Sequence, residues 1–120
     1  MATLTGVTFR LALIDTQEFP GQEAAPSLSF APGPRLVGEL CNRFTGEVEW
    51  RDGVLRGNLA MTRRFCLNPD LNRAEQLLSD LLGRGARLEV APGGRLRLRG
   101  DGGILTYRAE PGAPGTALPW

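Results

Sequence analysis

The chain has no histidine and no lysine; all fourteen of its basic residues are arginine, set against thirteen acidic ones. Without histidine, the usual base that activates a serine or cysteine nucleophile is missing, and so is the commonest nitrogen ligand for a metal. There are only two cysteines, Cys41 and Cys66, whereas structural zinc sites take four ligands. No glycine-rich phosphate loop occurs, so neither a metal nor a cofactor is expected. No run of about 18 apolar residues exists, so no segment is expected to cross a bilayer as a helix. A net charge of +1 lacks the basic excess of a dedicated nucleic-acid binder, and no nucleic-acid partner is expected. The opening Met1–Leu13 has no basic stretch followed by an apolar run of about 7–15 residues, so it does not read as a signal peptide. No cysteine near the start offers a lipidation site.

What is present fits one globular domain. At 120 residues, 42% hydrophobic and 22% charged, the chain can bury a single core. Val7–Ile14 alternates, with Val7, Phe9, Leu11 and Leu13 on one side, the period of a half-buried strand. Short strands fit Ser27–Phe30 and Arg35–Cys41, separated by the turn Ala31-Pro32-Gly33-Pro34. Asp52-Gly53, between Glu47–Arg51 and Val54–Arg56, predicts a tight hairpin with positive φ. Three further strands, Arg87–Val90, Arg95–Arg99 and Gly103–Ala109, are joined by Pro92-Gly93-Gly94 and Asp101-Gly102 as a meander. Before them lies the clearest element. Asn68 can cap a helix, Pro69 suits its first position, and Leu71, Ala74, Leu77, Leu78, Leu81 and Leu82 form an apolar stripe. Gly83 or Gly85 can end it. The domain is expected over 1–110, with 111–120 a Pro/Gly-rich tail.

The candidate sites each admit a structural reading. Cys41 and Cys66 form either a disulfide or two buried free thiols packing as small hydrophobes. Asn42 and Gly46 suit turn geometry, Asn by bonding its own backbone and Gly by bending sharply. Arg43 and Phe44 form a surface contact pair or a turn folded onto the core, and Thr62 a local side-chain-to-backbone bond. Arg95, Arg97 and Arg99 alternate with leucines and so line one strand face, which either binds an anionic group or is a solvated edge that discourages pairing. Glu47 and Glu49 likewise share a face, but no cleft is evident in which they would act as an acid/base pair.

Two linked runs carry a family resemblance: Cys41-Asn42-Arg43-Phe44-Thr45-Gly46, and Ala60-Met61-Thr62-Arg63-Arg64-Phe65-Cys66 followed by Asn68-Pro69. With the hairpin between them, the helix after them and the closing Leu105-Thr106-Tyr107 strand, the chain resembles the META domain of the heat-shock protein HslJ family. The resemblance implies an α+β fold, a curved antiparallel sheet forming an incomplete barrel with one helix packed across it. It implies a bacterial cell-envelope, lipoprotein-like protein of the stress response, acting as a monomer without established catalysis. Its expected partner is another envelope protein, met through the open side of the sheet or through Arg95–Arg99. The fold is also similar to secretin pilotins, which suggests a second expectation: a small carrier holding a lipid or other apolar ligand between sheet and helix. Where the family typically has Met two residues after the threonine, this chain has Arg64, so that position is either exposed or part of a polar groove.

Overall fold

The computed structural model describes residues 4–19, 26–64 and 66–110. In chain order the elements are β1 (Thr8–Ile14), β2 (Gln17–Glu18), β3 (Ser27–Ala31), β4 (Arg35–Glu39), β5 (Arg43–Arg51), β6 (Val54–Gly57) and β7 (Ala60–Met61), then helix α1 (Pro69–Arg84), then β8 (Ala86–Ala91), β9 (Arg95–Gly100) and β10 (Gly103–Ala109). The expected tail at 111–120 lies outside the described residues.

The sheet is α+β with one helix, as expected, but the barrel is closed. Eight strands follow one another as β1-β3-β4-β5-β6-β8-β9-β10, and β10 pairs back with β1, every pair antiparallel. The incomplete barrel with an open side is therefore corrected. Closure is made by Phe9↔Ala109, Arg10↔Arg108 and Leu11↔Tyr107, pairings between the two ends of the domain. It removes the exposed edges that β1 and β10 would otherwise present.

A bulge refines the first strand. The register against β10 slips between Leu11 and Leu13, leaving Ala12 as the extra residue. Phe9 and Leu11 face the core, but beyond the bulge it is Ile14 rather than Leu13 that is buried. One inserted residue reverses which side chains face in. The Asp52-Gly53 hairpin has the expected positive φ at both residues, 53° and 79°.

The interior is filled by side chains, as an eight-stranded barrel is narrow enough to allow. Phe9, Leu28, Leu36, Leu55, Leu96, Leu98, Leu105 and Tyr107 are fully enclosed. Phe9 and Phe30 meet edge to face with ring centroids 6.4 Å apart, the arrangement that their quadrupoles favour.

The helix forms as its signals predict. The Asn68 side chain accepts hydrogen bonds from the N–H groups of Asp70 (2.9 Å) and Leu71 (3.4 Å), and Gly85 ends the helix at φ 96°. Ala74, Leu77, Leu78, Leu81 and Leu82 are buried. They lie across the barrel end where β9 turns into β10: side chains built at Gly100 and Gly103 would meet Leu81 and Leu77 at 2.7 Å and 3.2 Å. The glycines there let the helix sit directly on the strand ends. Arg56 reaches over from β6 to donate to the Arg84 carbonyl (3.2 Å), satisfying an acceptor left open in the last turn.

Candidate functional site

The first motif is built around one buried amide. Asn42 follows β4 and is 6% exposed. Its Nδ2 donates to Glu75 Oε1 (3.0 Å) and to the Arg64 carbonyl (3.4 Å). Its Oδ1 accepts from the Thr62 hydroxyl (3.1 Å) and from the Arg64 N–H (2.6 Å). The Asn42 backbone N–H donates to Glu75 Oε2 at 2.8 Å. Both donors and both lone pairs of the amide are thus used. The residue ties the β4–β5 connection, the segment after β7 and the helix into one unit.

Its neighbours complete the same latch. Thr62 Oγ1 accepts from the Arg43 N–H (3.1 Å), and Thr62 N–H donates to the Arg43 carbonyl (3.0 Å). Cys41 and Cys66 are brought together as a disulfide, with Cα atoms 6.0 Å apart. The helix holds the far side of that bridge, where Asn72 Nδ2 donates to the Cys66 carbonyl at 2.9 Å.

Several residue readings change here. Asn42 does not adopt left-handed backbone, which among non-glycine described residues occurs at Asp15 and Asp52. Besides a contact to the Sγ of neighbouring Cys41 (3.6 Å), its side chain bonds residues twenty and more positions away rather than its own backbone. Gly46 is not at a bend but inside β5, where an added Cβ would run into the Asn58 carbonyl oxygen. Thr62 bonds across strands, not locally. Arg43 and Phe44 separate because strand neighbours point oppositely: Phe44 is buried and Arg43 exposed. Met61 is partly buried against the core, and Arg64 is exposed.

A second cluster lies on the outer wall. Arg95, Arg97 and Arg99 do line one face of β9, beside two neighbouring strands. Arg97 sits between Glu89 of β8 and Thr106 of β10, Arg99 beside Arg87, and Arg95 beside Arg108, which itself pairs with Arg10 of β1. Arg99 bonds Glu89 at 2.9 Å and Arg10 bonds Glu110 at 3.2 Å. Arg87, Arg95, Arg97 and Arg108 have no carboxylate partner among the described residues. This wall carries six arginines and two glutamates, a net +4. The other eight arginines and eleven acidic residues give −3, which leaves the +1 of the whole chain. Strands stand about 4.8 Å apart, within the roughly 8 Å over which physiological salt leaves charges coupled. Sequence reasoning found three of these arginines and missed Arg10, Arg87 and Arg108, because only the sheet pairing puts them together.

The sequence profile of the META domain matches residues 2–111. The chain belongs to the META domain family. It is similar to heat shock protein HslJ of Escherichia coli (strain K12), 33% identical over 101 residues that cover 83% of this chain and 71% of that protein. A protein solved by NMR shares 31% identity and a TM-score of 0.81, over 89% of this chain and 92% of its own. A second NMR structure, of a protein from Burkholderia xenovorans, has a TM-score of 0.70 at 22% identity over 92% of this chain and 88% of its own, and shows the fold alone. In this META domain Asn42, Thr62 and the Cys41–Cys66 bridge are occupied in holding the chain together. No group of three or more His, Cys, Asp or Glu side chains converges among the described residues, and no described helix is long and apolar enough to cross a membrane. Glu47 and Glu49 stand exposed on the outside of β5, Glu49 beside Arg51 at 3.7 Å.

One buried polar group is not absorbed by the latch. The Tyr107 hydroxyl is enclosed in the barrel with no hydrogen-bond partner among the described residues. Burial raises its pKa well above the ordinary 10.0, because a phenolate there would lose its hydration.

Proposed function

We propose that this META domain is a non-catalytic binding module of the bacterial cell envelope in the heat-shock response, and that it meets an acidic partner protein through the arginine wall. The observation that carries this is the segregation of charge: a near-neutral chain concentrates +4 on one outer wall of its barrel, with four guanidiniums there lacking carboxylate partners among the described residues. Arginine presents a planar fork to carboxylates and speeds encounter with an acidic surface. The Asn42 and Thr62 side chains do not compete for this role, since their hydrogen-bonding capacity is spent inside the fold. The domain acts as a monomer, and membership of a family that includes a heat-shock protein supports the stress setting and the envelope location.

The carrier of a lipid or apolar ligand has less behind it. The helix face that would open onto such a ligand is already seated on the barrel, with Ala74, Leu78 and Leu82 at 0% exposure. The test is charge reversal at Arg95, Arg97 and Arg99 together. The variant is expected to keep its far-UV spectrum and unfolding midpoint but to lose crosslinking to its partner in heat-stressed cells. Unchanged crosslinking would refute this wall as the contact.

A further inference from the structure

One seam of the barrel is only partly sewn. β5 pairs with β6 and then, past the unpaired Asn58 and Leu59, with β7 in the same register, from Arg51↔Val54 to Phe44↔Met61. Arg43 and Thr62 form a hydrogen-bonded pair, and bonded and non-bonded pairs alternate along an antiparallel ladder. Phe44 and Met61 are therefore a non-bonded pair, and the N–H and C=O of Met61 point away from β5. Gly57 is likewise in a non-bonded pair with Val48, whose N–H goes to the Pro34 carbonyl, so the N–H and C=O of Gly57 also face outward. The next strand, β8, covers this edge only at Val54 and Leu55. Past Leu55, the N–H groups of Gly57, Leu59 and Met61 have no partner among the described residues.

In front of that edge lies a groove of about 520 Å³, walled by Leu59, Met61, Arg63 and Arg64 on the strand side and by Glu75 and Ser79 of the helix. Both Glu75 oxygens are engaged by Asn42. Arg63 and Arg64 are exposed and have no carboxylate partner among the described residues. The groove thus offers a row of main-chain donors and acceptors, two partly buried apolar side chains and an excess of positive charge.

We propose that this groove takes an extended, acidic peptide segment of a partner protein, which adds as a strand to the Gly57–Met61 edge. Main-chain bonds would supply affinity, alternate side chains would meet Leu59 and Met61, and carboxylates would meet Arg63 and Arg64. The site lies on a different surface from the arginine wall and stands or falls separately from it.

The test uses a labelled, N-acetylated Asp-Val-Asp-Val-Asp-Val peptide, with amide hydrogen exchange and NMR shift mapping on the whole chain. Without peptide, the amides of Gly57, Leu59 and Met61 should exchange fast; with it, they should shift and become protected. Met61→Pro removes an N–H that faces the groove and that β5 does not use, so the fold should persist while peptide affinity falls about tenfold. Arg63→Glu with Arg64→Glu leaves the edge intact and should weaken binding by a similar factor of about ten. Three results would overturn the proposal: slow exchange at these amides in the free protein, no binding at about 1 mM peptide, or shifts that map to Arg95–Arg99 instead.

Discussion

Replacing Tyr107 by Phe isolates one atom of the barrel interior. The side chain is fully buried and its hydroxyl has no hydrogen-bond partner among the described residues. A buried polar group left without a partner costs about 1–3 kcal/mol. Phenylalanine fills the same space without that penalty, so Tyr107→Phe should stabilise the domain by about 1–2 kcal/mol, which for a domain of this size raises the melting temperature by roughly 3–10 °C. A second readout follows from ionisation. Because burial raises the phenol's pKa above 10.0, the unfolded chain releases this proton at a lower pH than the folded one. Below pH 10 the group contributes no slope. Above it stability falls as pH rises toward the folded value, by about 1.4 kcal/mol per pH unit. Tyr107→Phe should remove that part of the alkaline loss. Urea unfolding of both proteins at pH 7 and at about pH 11 measures both effects. A variant less stable than the parent by 1 kcal/mol or more at pH 7 would refute the reasoning, since it would mean that the hydroxyl is hydrogen-bonded, with buried water as the natural partner.

The latch and the disulfide give two further expectations. Asn42→Ala strands the Arg64 N–H and leaves Glu75 facing an apolar methyl, so a loss of about 2–4 kcal/mol is expected in urea unfolding; a change under about 0.5 kcal/mol would show that the network carries little. Cys41→Ser with Cys66→Ser opens a loop spanning a sequence separation of 25, which the chain-entropy relation values at roughly 3–4 kcal/mol. In protein isolated from its own host, both thiols should resist alkylation after denaturation without reductant, and full alkylation would contradict the bridge.

The elements that sequence reading located are those specified by neighbours. Asn68, Pro69 and the leucine stripe make the helix, and Asp52-Gly53 makes the hairpin, because each signal acts within a turn or two of chain. The bulge at Ala12 carried no such mark: an alternating run reads as continuous until its partner strand is known. Closure of the barrel was hidden for the same reason, since Phe9 meets Ala109 through pairings that no local pattern encodes. Asn42 is instructive in another way. Its residue type suggested a turn, yet its partners Thr62, Arg64 and Glu75 lie 20 to 33 positions away. The arginine wall was legible only as three alternating residues on one strand, and the near-neutral total concealed the other half of it.

The binding role of that wall is tested most directly by site-specific photocrosslinking in living, heat-stressed cells. A photoreactive residue would be placed in turn at Arg97, in the middle of the wall, and at Thr45, exposed on β5 away from it. The account predicts a discrete protein adduct from position 97 that grows with heat stress and is lost when Arg95 and Arg99 are reversed in charge. Adducts from position 45 alone, or none from either site, would contradict it.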